Sequence, residues 1–143
     1  MKKAYLAGPW FTEKANILEN YAYTISELCK NNYEVFRPRA ESCLEPAVTF
    51  NGNIAAIKSC DIFVALISEK DVGTAFEIGY ANALGKKVYL VAFEEVDFNK
   101  KTNLMLAFAS DKCITIDKLH KVFEDTLTNN DVIYINRDWE DIE

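Results

Sequence analysis

Two acidic residues, Asp71 and Glu77, lie where a predicted strand passes into a predicted helix. The apolar run 62–67 is typical of a buried strand, and 74–84 has the pattern of a helix. In open α/β sheets, ligands bind at this edge, outside the carboxyl ends of the strands. A carboxylate held rigidly there can act as a nucleophile, and a second carboxyl group can carry a proton.

The same residues also allow a purely structural interpretation. Thr74 and Glu77 have the spacing of a capping box, in which Thr74 is the N-cap and the Glu77 side chain reaches back to its amide. The two interpretations are compatible, because a carboxylate held near backbone amides stays ionised. Ala75, Gly79 and Ala83 repeat every four residues. This repeat predicts a nearly bare helix face that lies close on the sheet and fixes Glu77 firmly.

Length and charge limit the classes of function. A chain of 143 residues predicts a single domain over 1–143. A net charge of −6 argues against a nucleic-acid-binding surface. The four cysteines form no CxxC pair and there is one histidine, so we expect no metal site and reduced thiols in an intracellular protein. No run approaches a membrane span and the start is too short for a signal peptide, which predicts a cytoplasmic protein without a membrane partner.

Strand and helix patterns alternate along the chain. Strands are predicted at 3–7, 33–36, 62–67, 87–93 and 112–116, helices at 12–30, 53–58, 74–84 and 117–127, and a short turn or helix at 103–107. Residues 40–52 are predicted to be mostly a mobile loop over the site. Gly85 is predicted to be a helix C-cap, and Asp61 is predicted to have a structural role, in which it caps or holds the turn before strand 3.

This alternation implies right-handed βαβ units and a parallel sheet. We predict an α/β fold, a flavodoxin-like three-layer sandwich with a five-stranded parallel sheet in the order 2-1-3-4-5. In that order, the strand order reverses between strands 1 and 3, whose ends carry Gly8 and Asp71. The topology therefore points to the same edge as the acidic motif.

Three motifs, in this order, resemble the nucleoside 2-deoxyribosyltransferase family: YLAGPWF at 5–11, DVGTAFEIGYA at 71–81 and NLM at 103–105. The resemblance covers residues 3 to about 116. It implies transfer of 2-deoxyribose between nucleobases, with 2'-deoxynucleosides and free nucleobases as substrates. In such an enzyme Glu77 is the nucleophile, Asp71 faces the base and moves its proton, and Tyr5 orients the nucleophile.

The chemistry of these residues is consistent with that implication. Two displacements at one carbon retain its configuration, as in retaining glycosidases. A nucleobase leaves poorly unless it is protonated, so an acid is needed beside the nucleophile. Because the missing 2'-hydroxyl makes an oxocarbenium-like state easier to reach, we expect no metal and no cofactor.

The resemblance also implies a shared site. In the family, the asparagine at the position of Asn103 binds the 5'-hydroxyl and comes from a neighbouring subunit. We therefore expect a homo-oligomer, built from dimers and possibly a hexamer, with shared active sites. Without the resemblance, Asn103 is a turn residue and Met105 fills the core.

The remaining candidate substrate-binding residues are Gly8, Trp10, Phe11, Asn53, Gly73 and Met105. Trp10 and Phe11 suit either stacking on a base or core packing. Many transferases have an aspartate that reads the base where this chain has Asn53. A carboxamide can pair with N7 and the 6-substituent of a purine, which tilts the prediction to purines, although Asn53 also suits a helix N-cap.

Two other functions remain open. The first is a 2'-deoxynucleoside or 2'-deoxynucleoside 5'-monophosphate N-hydrolase, which would use Glu77 with water as the acceptor. Asn103 argues against a nucleotide substrate, because the related hydrolases place a serine in this region to hold a 5'-phosphate. Arg37 and Arg39 could hold such a phosphate, although they are also expected as solvated loop charges. The second is a catalytically silent nucleoside-binding protein that has kept the fold. The presence of Tyr5, Asp71 and Glu77 together argues against it.

Overall fold

A computed structural model of the chain describes residues 1–9, 13–29, 32–38, 45–67, 71–94, 98 and 103–135, with the backbone alone at 13–19 and 26. The strands are β1 (Lys2–Ala7), β2 (Tyr33–Phe36), β3 (Ile62–Leu66), β4 (Lys87–Ala92) and β5 (Lys112–Thr115). The helices are α1 (Glu13–Leu28), α2 (Pro46–Ser59), α3 (Val72–Ala83), α4 (Leu104–Ala109) and α5 (Leu119–Phe123), with 3-10 turns at Ile116–Lys118 and Asn129–Asp131.

All five strands form one parallel sheet in the order β2-β1-β3-β4-β5. This confirms the predicted flavodoxin-like sandwich and its strand order. β3 is buried along its whole length, as a central strand covered on both faces must be. The reversal of strand order between β1 and β3 therefore places the ends of these two strands at a potential ligand site.

Side chains alternate between the two faces of the sheet, so β1 contributes to two separate cores. Ala4 and Leu6 belong to an apolar cluster that contains residues of α1 and α5, including Phe123. Tyr5 and Ala7 belong to a second cluster with residues of α2, α3 and α4. Within the described residues, no helix is long and apolar enough to cross a membrane.

The predicted glycine at the end of α3 is confirmed, although the C-cap itself is Leu84 and Gly85 follows it. The amide of Lys86 donates to the carbonyl of Ala81 at 3.0 Å, and the amide of Gly85 donates to that of Asn82 at 2.9 Å. Gly85 has a φ of 71°, the left-handed conformation that glycine adopts without steric cost. The predicted structural role of Asp61 is also confirmed, since its Oδ2 accepts from the amide of Lys3 at 2.7 Å.

Two predicted segments differ from the structure. α2 begins at Pro46, so residues 46–52 are helical rather than part of a loop; proline suits the first helical position because its missing amide needs no partner there. Residues 40–44, the rest of the predicted loop, lie outside the described residues. The last predicted helix is shorter than expected: a 3-10 turn precedes α5, and α5 ends at Phe123, just before Asp125 with a φ of 57°.

Candidate active site

Glu77 and Tyr5 are in contact, although 72 positions separate them in the chain. Tyr5 lies in β1 and is fully buried, with its side chain on the face covered by α2 and α3. Its hydroxyl donates a hydrogen bond to Oε2 of Glu77, which lies on the second turn of α3. β1 and the central motif therefore bring Tyr5 and Glu77 into direct contact.

Burial controls the ionisation of this pair. Burial raises the pKa of Glu77, the hydrogen bond from Tyr5 lowers it and the charge of Asp71 raises it, and the net result is a pKa of about 7. Burial, followed by the negative charge of Glu77, raises the pKa of the Tyr5 phenol. Near neutral pH the phenol therefore keeps its proton and donates it to a carboxyl group that is close to half ionised.

Asp71 is the N-cap of α3. Its Oδ2 accepts from the amide of Thr74 at 2.7 Å and from the Thr74 hydroxyl at 2.8 Å. A β-carbon on Gly73 would lie 3.3 Å from the same oxygen, so glycine keeps room for the carboxylate over the first turn. These contacts hold Asp71 half-buried within the electrostatic reach of Glu77.

The predicted capping box is wrong. Thr74 is buried inside the helix rather than being the N-cap, because α3 begins two residues earlier, at Val72. An aspartate is a good N-cap, and its carboxylate takes the amide that Glu77 was expected to approach. Glu77 therefore bonds Tyr5 instead. The expectation that backbone amides keep Glu77 ionised is wrong for the same reason, since burial dominates and raises its pKa.

The predicted small-residue contact with the sheet is also wrong. Ala75, Gly79 and Ala83 are exposed, while α3 buries its Thr74, Ile78 and Ala81 side chains. Ala75 and Gly79 instead line an apolar groove of about 460 Å³ between α3 and α4, with Ile78, Asn82, Leu104, Met105, Leu106, Phe108 and Ala109.

Asn103 and Met105 lie apart from Glu77 in the same chain. Asn103 is the N-cap of α4, and its Oδ1 accepts from the amides of Met105 at 2.9 Å and Leu106 at 3.4 Å. At 3.6 residues per turn, the residues of α3 that face α4, Ala75 and Gly79, point nearly opposite to Glu77. Met105 is 73% exposed, so it does not fill the core of this chain.

Asn53 lies inside α2 rather than at its start, so the N-cap interpretation is wrong. It is half-buried, one helical turn before the buried Ile57, and its Oδ1 is buried without a hydrogen-bond partner among the described residues. Gly8 directly follows β1 and is buried. Trp10 and Phe11 lie outside the described residues.

Arg37 differs from its expected solvated state. Its guanidinium carbon lies 4.4 Å from the ring centroid of Tyr23, and the residue is half-buried. A planar guanidinium packs on an aromatic face in this way because the ring carries negative charge above its plane. Arg39, its predicted companion, lies outside the described residues.

Two phenylalanines beside Tyr5 escaped the sequence analysis. The parallel register places Phe36 of β2 and Phe63 of β3 directly opposite Tyr5 on either side. All three rings stack, with centroids 5.4 Å and 5.3 Å from that of Tyr5. The aromatic character of the three strands was visible, but it locates no contact until the strand register is known.

Comparison with known proteins identifies the family of the chain. Residues 4–105 match the model of the nucleoside 2-deoxyribosyltransferase family. A nucleoside deoxyribosyltransferase of Lactobacillus leichmannii is 40% identical over 73 residues, which cover 50% of this chain and 46% of that protein. The match thus spans about half the length of that curated relative.

Solved structures show the same architecture. A 2-deoxyribosyltransferase from the psychrotolerant bacterium Bacillus psychrosaccharolyticus superposes with a TM-score of 0.71 at 26% identity, covering 85% of this chain and 90% of the other. A CMP N-glycosidase of Clostridium botulinum superposes with a TM-score of 0.59 at 25% identity, covering 87% of this chain and 96% of the other. With the family model matching most of the chain over the stretch that carries Tyr5, Asp71 and Glu77, the chain belongs to the nucleoside 2-deoxyribosyltransferase family.

Proposed function

We propose that the protein transfers 2-deoxyribose from one nucleobase to another by a covalent double displacement at Glu77, in the salvage of nucleobases. The observation that carries the proposal is the buried carboxyl group of Glu77, bonded by the Tyr5 hydroxyl, beside the carboxyl group of Asp71. A nucleophile needs a fixed position and an accessible ionised form. A pKa of about 7 provides that form near neutral pH.

In the first displacement, an Oε atom of ionised Glu77 attacks C1' of the deoxynucleoside from the face opposite the base. The bond from C1' to the base nitrogen breaks, and its electron pair goes to the base. Asp71 delivers the proton that the departing base takes up. The deoxyribose is then an ester of Glu77, and the Tyr5 hydroxyl continues to donate to the ester oxygen.

In the second displacement, a nitrogen of the incoming base attacks C1', and the ester bond breaks to restore ionised Glu77. Asp71 takes the proton that the incoming base releases, so charge and protons balance over the cycle. Two inversions at C1' retain its configuration. A 2'-hydroxyl would crowd the nucleophile, so ribonucleosides are rejected.

Trapping the ester tests the proposal. A slow 2-fluoro-2-deoxy nucleoside is incubated with the protein, which is then digested and mapped by mass spectrometry. We expect the added mass of the sugar on the peptide that carries Glu77, and no label in the Glu77→Gln variant. A label on another residue, or none while transfer proceeds, contradicts a covalent role for Glu77.

We propose that Asn53 reads the base. Its buried Oδ1 makes no hydrogen bond within the described part of the chain, and an unpaired buried acceptor costs about 1–3 kcal/mol. An exocyclic amino group supplies the missing donor, and the carboxamide NH₂ can donate to N7, which favours a 6-aminopurine. Replacing Asn53 by Asp removes the donor, so the ratio of adenine to hypoxanthine transfer is expected to change. An unchanged ratio excludes this contact.

We propose that a second copy of the chain completes the site with Asn103 and Met105. Both residues lie on the side of α3 away from Glu77, so within one chain they do not reach the nucleophile. The exposed apolar side chains of α4, Met105 and Phe108, suit burial against another copy. Light scattering tests for the oligomer, a dimer or a hexamer built from dimers. Mixing inactive Glu77→Gln protein with Asn103→Ala protein is then expected to form some native sites, so transfer at low substrate concentration should exceed that of Asn103→Ala protein alone.

Hydrolysis is the alternative, since the similar Clostridium botulinum structure is a CMP N-glycosidase. It would use the same ester, with water in place of the second base. Incubation with deoxyinosine and adenine separates the two: transfer gives deoxyadenosine, and hydrolysis gives free deoxyribose.

We propose a cytoplasmic location, because Cys29, Cys60 and Cys113 are thiols rather than disulfides.

A further inference from the structure

The Tyr5 ring lies between two phenylalanine rings in a continuous stack. The interplanar angle is 18° to Phe36 and 8° to Phe63, and the centroids are 5.4 Å and 5.3 Å away. The stack follows from the sheet, because residues in parallel register point to the same face on neighbouring strands. Three consecutive strands, β2, β1 and β3, thus each contribute one ring.

This arrangement restricts the motion of the phenol. Tyr5 and Phe63 are fully buried, and Phe36 is half-buried at the outer side of the stack. A change in the Tyr5 side-chain torsions would have to displace one of its neighbours in a close-packed core. Because a phenolic O–H prefers the plane of its ring, fixing that plane also fixes the direction in which the proton points.

We propose that Phe36 and Phe63 are positioning residues that hold the Tyr5 hydroxyl against Glu77 through the reaction cycle. The need for them arises when Glu77 becomes a neutral ester, which accepts a hydrogen bond more weakly than a carboxylate. Without the two rings, Tyr5 could then turn away and leave the ester oxygen without a donor. The role within the cycle rests on the proposed function, whereas the placement of the phenol does not.

The direction of a pKa change separates positioning from simple core packing. Removing the Tyr5 hydrogen bond raises the pKa of Glu77, since that bond favours the charged form. Opening a cavity at Phe63 that admitted water would lower the same pKa, because burial is what raises it. Among the described residues, the other titratable groups facing this pair are Asp71, beside Glu77, and the buried Cys60 thiol, beside Tyr5. Neither is altered by the substitutions below.

The experiment titrates Glu77 by carbon NMR in protein labelled at the glutamate carboxyl carbons, with the signal assigned by its loss in Glu77→Gln. We expect Tyr5→Phe and Phe63→Leu both to raise the Glu77 pKa, by about one unit and about half a unit. In the Tyr5→Phe background, Phe63→Leu is expected to cause no further rise, because no hydroxyl remains to be held.

Phe123→Leu is the matched control, since Phe123 is equally buried but belongs to the cluster on the other face of the sheet. It should leave the Glu77 pKa unchanged. If Phe63→Leu does not fold, Phe36→Leu carries the test at a half-buried position, and Phe36→Tyr, which keeps a ring there, should restore the native value. A fall in the pKa, no change, or an equal rise in both backgrounds overturns the proposal.

The titration reports on positioning whether or not the protein transfers deoxyribose. In the transfer assay, we expect Phe63→Leu to lower kcat several-fold and to leave KM unchanged, since the two rings act on the nucleophile through Tyr5. Absence of transfer in the native protein, with the expected pKa changes, refutes the proposed function alone. Normal transfer without those changes refutes the positioning role alone.

Discussion

The half-buried Glu77 and the buried Asp131 are two carboxyl groups whose neighbours differ. Asp131 accepts from the Lys121 ammonium at 2.9 Å and from the amide and hydroxyl of Thr128 at 2.9 Å and 3.0 Å. The bond from Lys121, followed by that from the Thr128 amide, lowers the pKa of Asp131. The neighbours of Glu77 are a phenol and another carboxyl group, and its pKa rises to about 7.

The difference separates a structural acid from a reactive one. A carboxylate bonded to an ammonium group and an amide is stabilised as an anion and fixes the local fold, here the capped turn Asn129–Asp131. A carboxyl group poised near neutral pH can gain and lose charge during a reaction at little cost. Strongly perturbed pKa values of this second kind are enriched at functional sites.

The largest expected effect is the loss of transfer in Glu77→Gln. We expect transfer to fall by at least about 10³-fold, because the amide cannot form the ester. Asp131→Asn is the matched control, with the same chemical change at the structural acid, and should transfer deoxyribose at close to the native rate. Initial rates of exchange between deoxyinosine and adenine measure both variants; native activity in Glu77→Gln would remove the distinction between the two acids.

The second effect is on stability, where the two acids should show opposite pH trends. Between the usual glutamate pKa of 4.5 and about 7 the native state binds the Glu77 proton more tightly than the unfolded state, so this contribution to stability is lost as pH rises. Between pH 5 and 8, the free energy of unfolding of Glu77→Gln should therefore rise relative to that of the native protein, by up to roughly 3 kcal/mol.

The contribution of Asp131 to stability changes with pH in the opposite direction. Its lowered pKa contributes stability above the ordinary aspartate pKa, and that contribution is lost as pH falls through the native value. Asp131→Asn should lower the Tm near neutral pH, and the deficit should shrink in acid. Thermal unfolding of the native protein and both variants, from neutral pH down to below the ordinary aspartate pKa of 3.8, measures the two trends. Parallel curves for the two variants would contradict the assigned ionisation states.

The third effect concerns the pH dependence of transfer. The reacting pair holds one proton, because Glu77 attacks as the anion while Asp71 keeps a proton for the departing base. The pair loses that proton above about 7, so kcat/KM should fall as pH rises through this value. Asp71→Asn keeps a good N-cap residue but removes the proton donor and a charge that raises the Glu77 pKa, so the maximal rate should fall and the remaining activity should instead rise with pH. A pH profile that stays in place in this variant would show that the two acids are not coupled.

The smallest effect is expected at Asn103. Asn103→Ser keeps a capping oxygen for α4, whereas Asn103→Ala loses it and costs about 1 kcal/mol of stability. Both should raise KM for deoxynucleosides, because neither offers a carboxamide to the 5'-hydroxyl, and both should change kcat little. A raised KM in Asn103→Ala alone would show that the cap, and not a substrate contact, is what matters.

Sequence reasoning located most of the fold because its signals are local. Alternating strand and helix patterns are enough to predict the parallel sheet and its order, and Gly85 was identified from glycine chemistry at a helix end. The errors lie where two local options compete. Asp71 and Thr74 are both good N-caps, and the choice depends on where the chain enters α3 after β3.

Local sequence patterns are sufficient to predict the five strands, their order and an acidic pair at the edge where β3 meets α3. The tertiary structure sets which acid is poised near neutral pH, because desolvation depends on the side chains that surround a group in space. It also decided that Tyr5 meets Glu77 between two stacked rings and that Asn103 faces the opposite side of α3. Strand register and helix rotation produce these relations, and both are settled by packing between segments far apart in the chain.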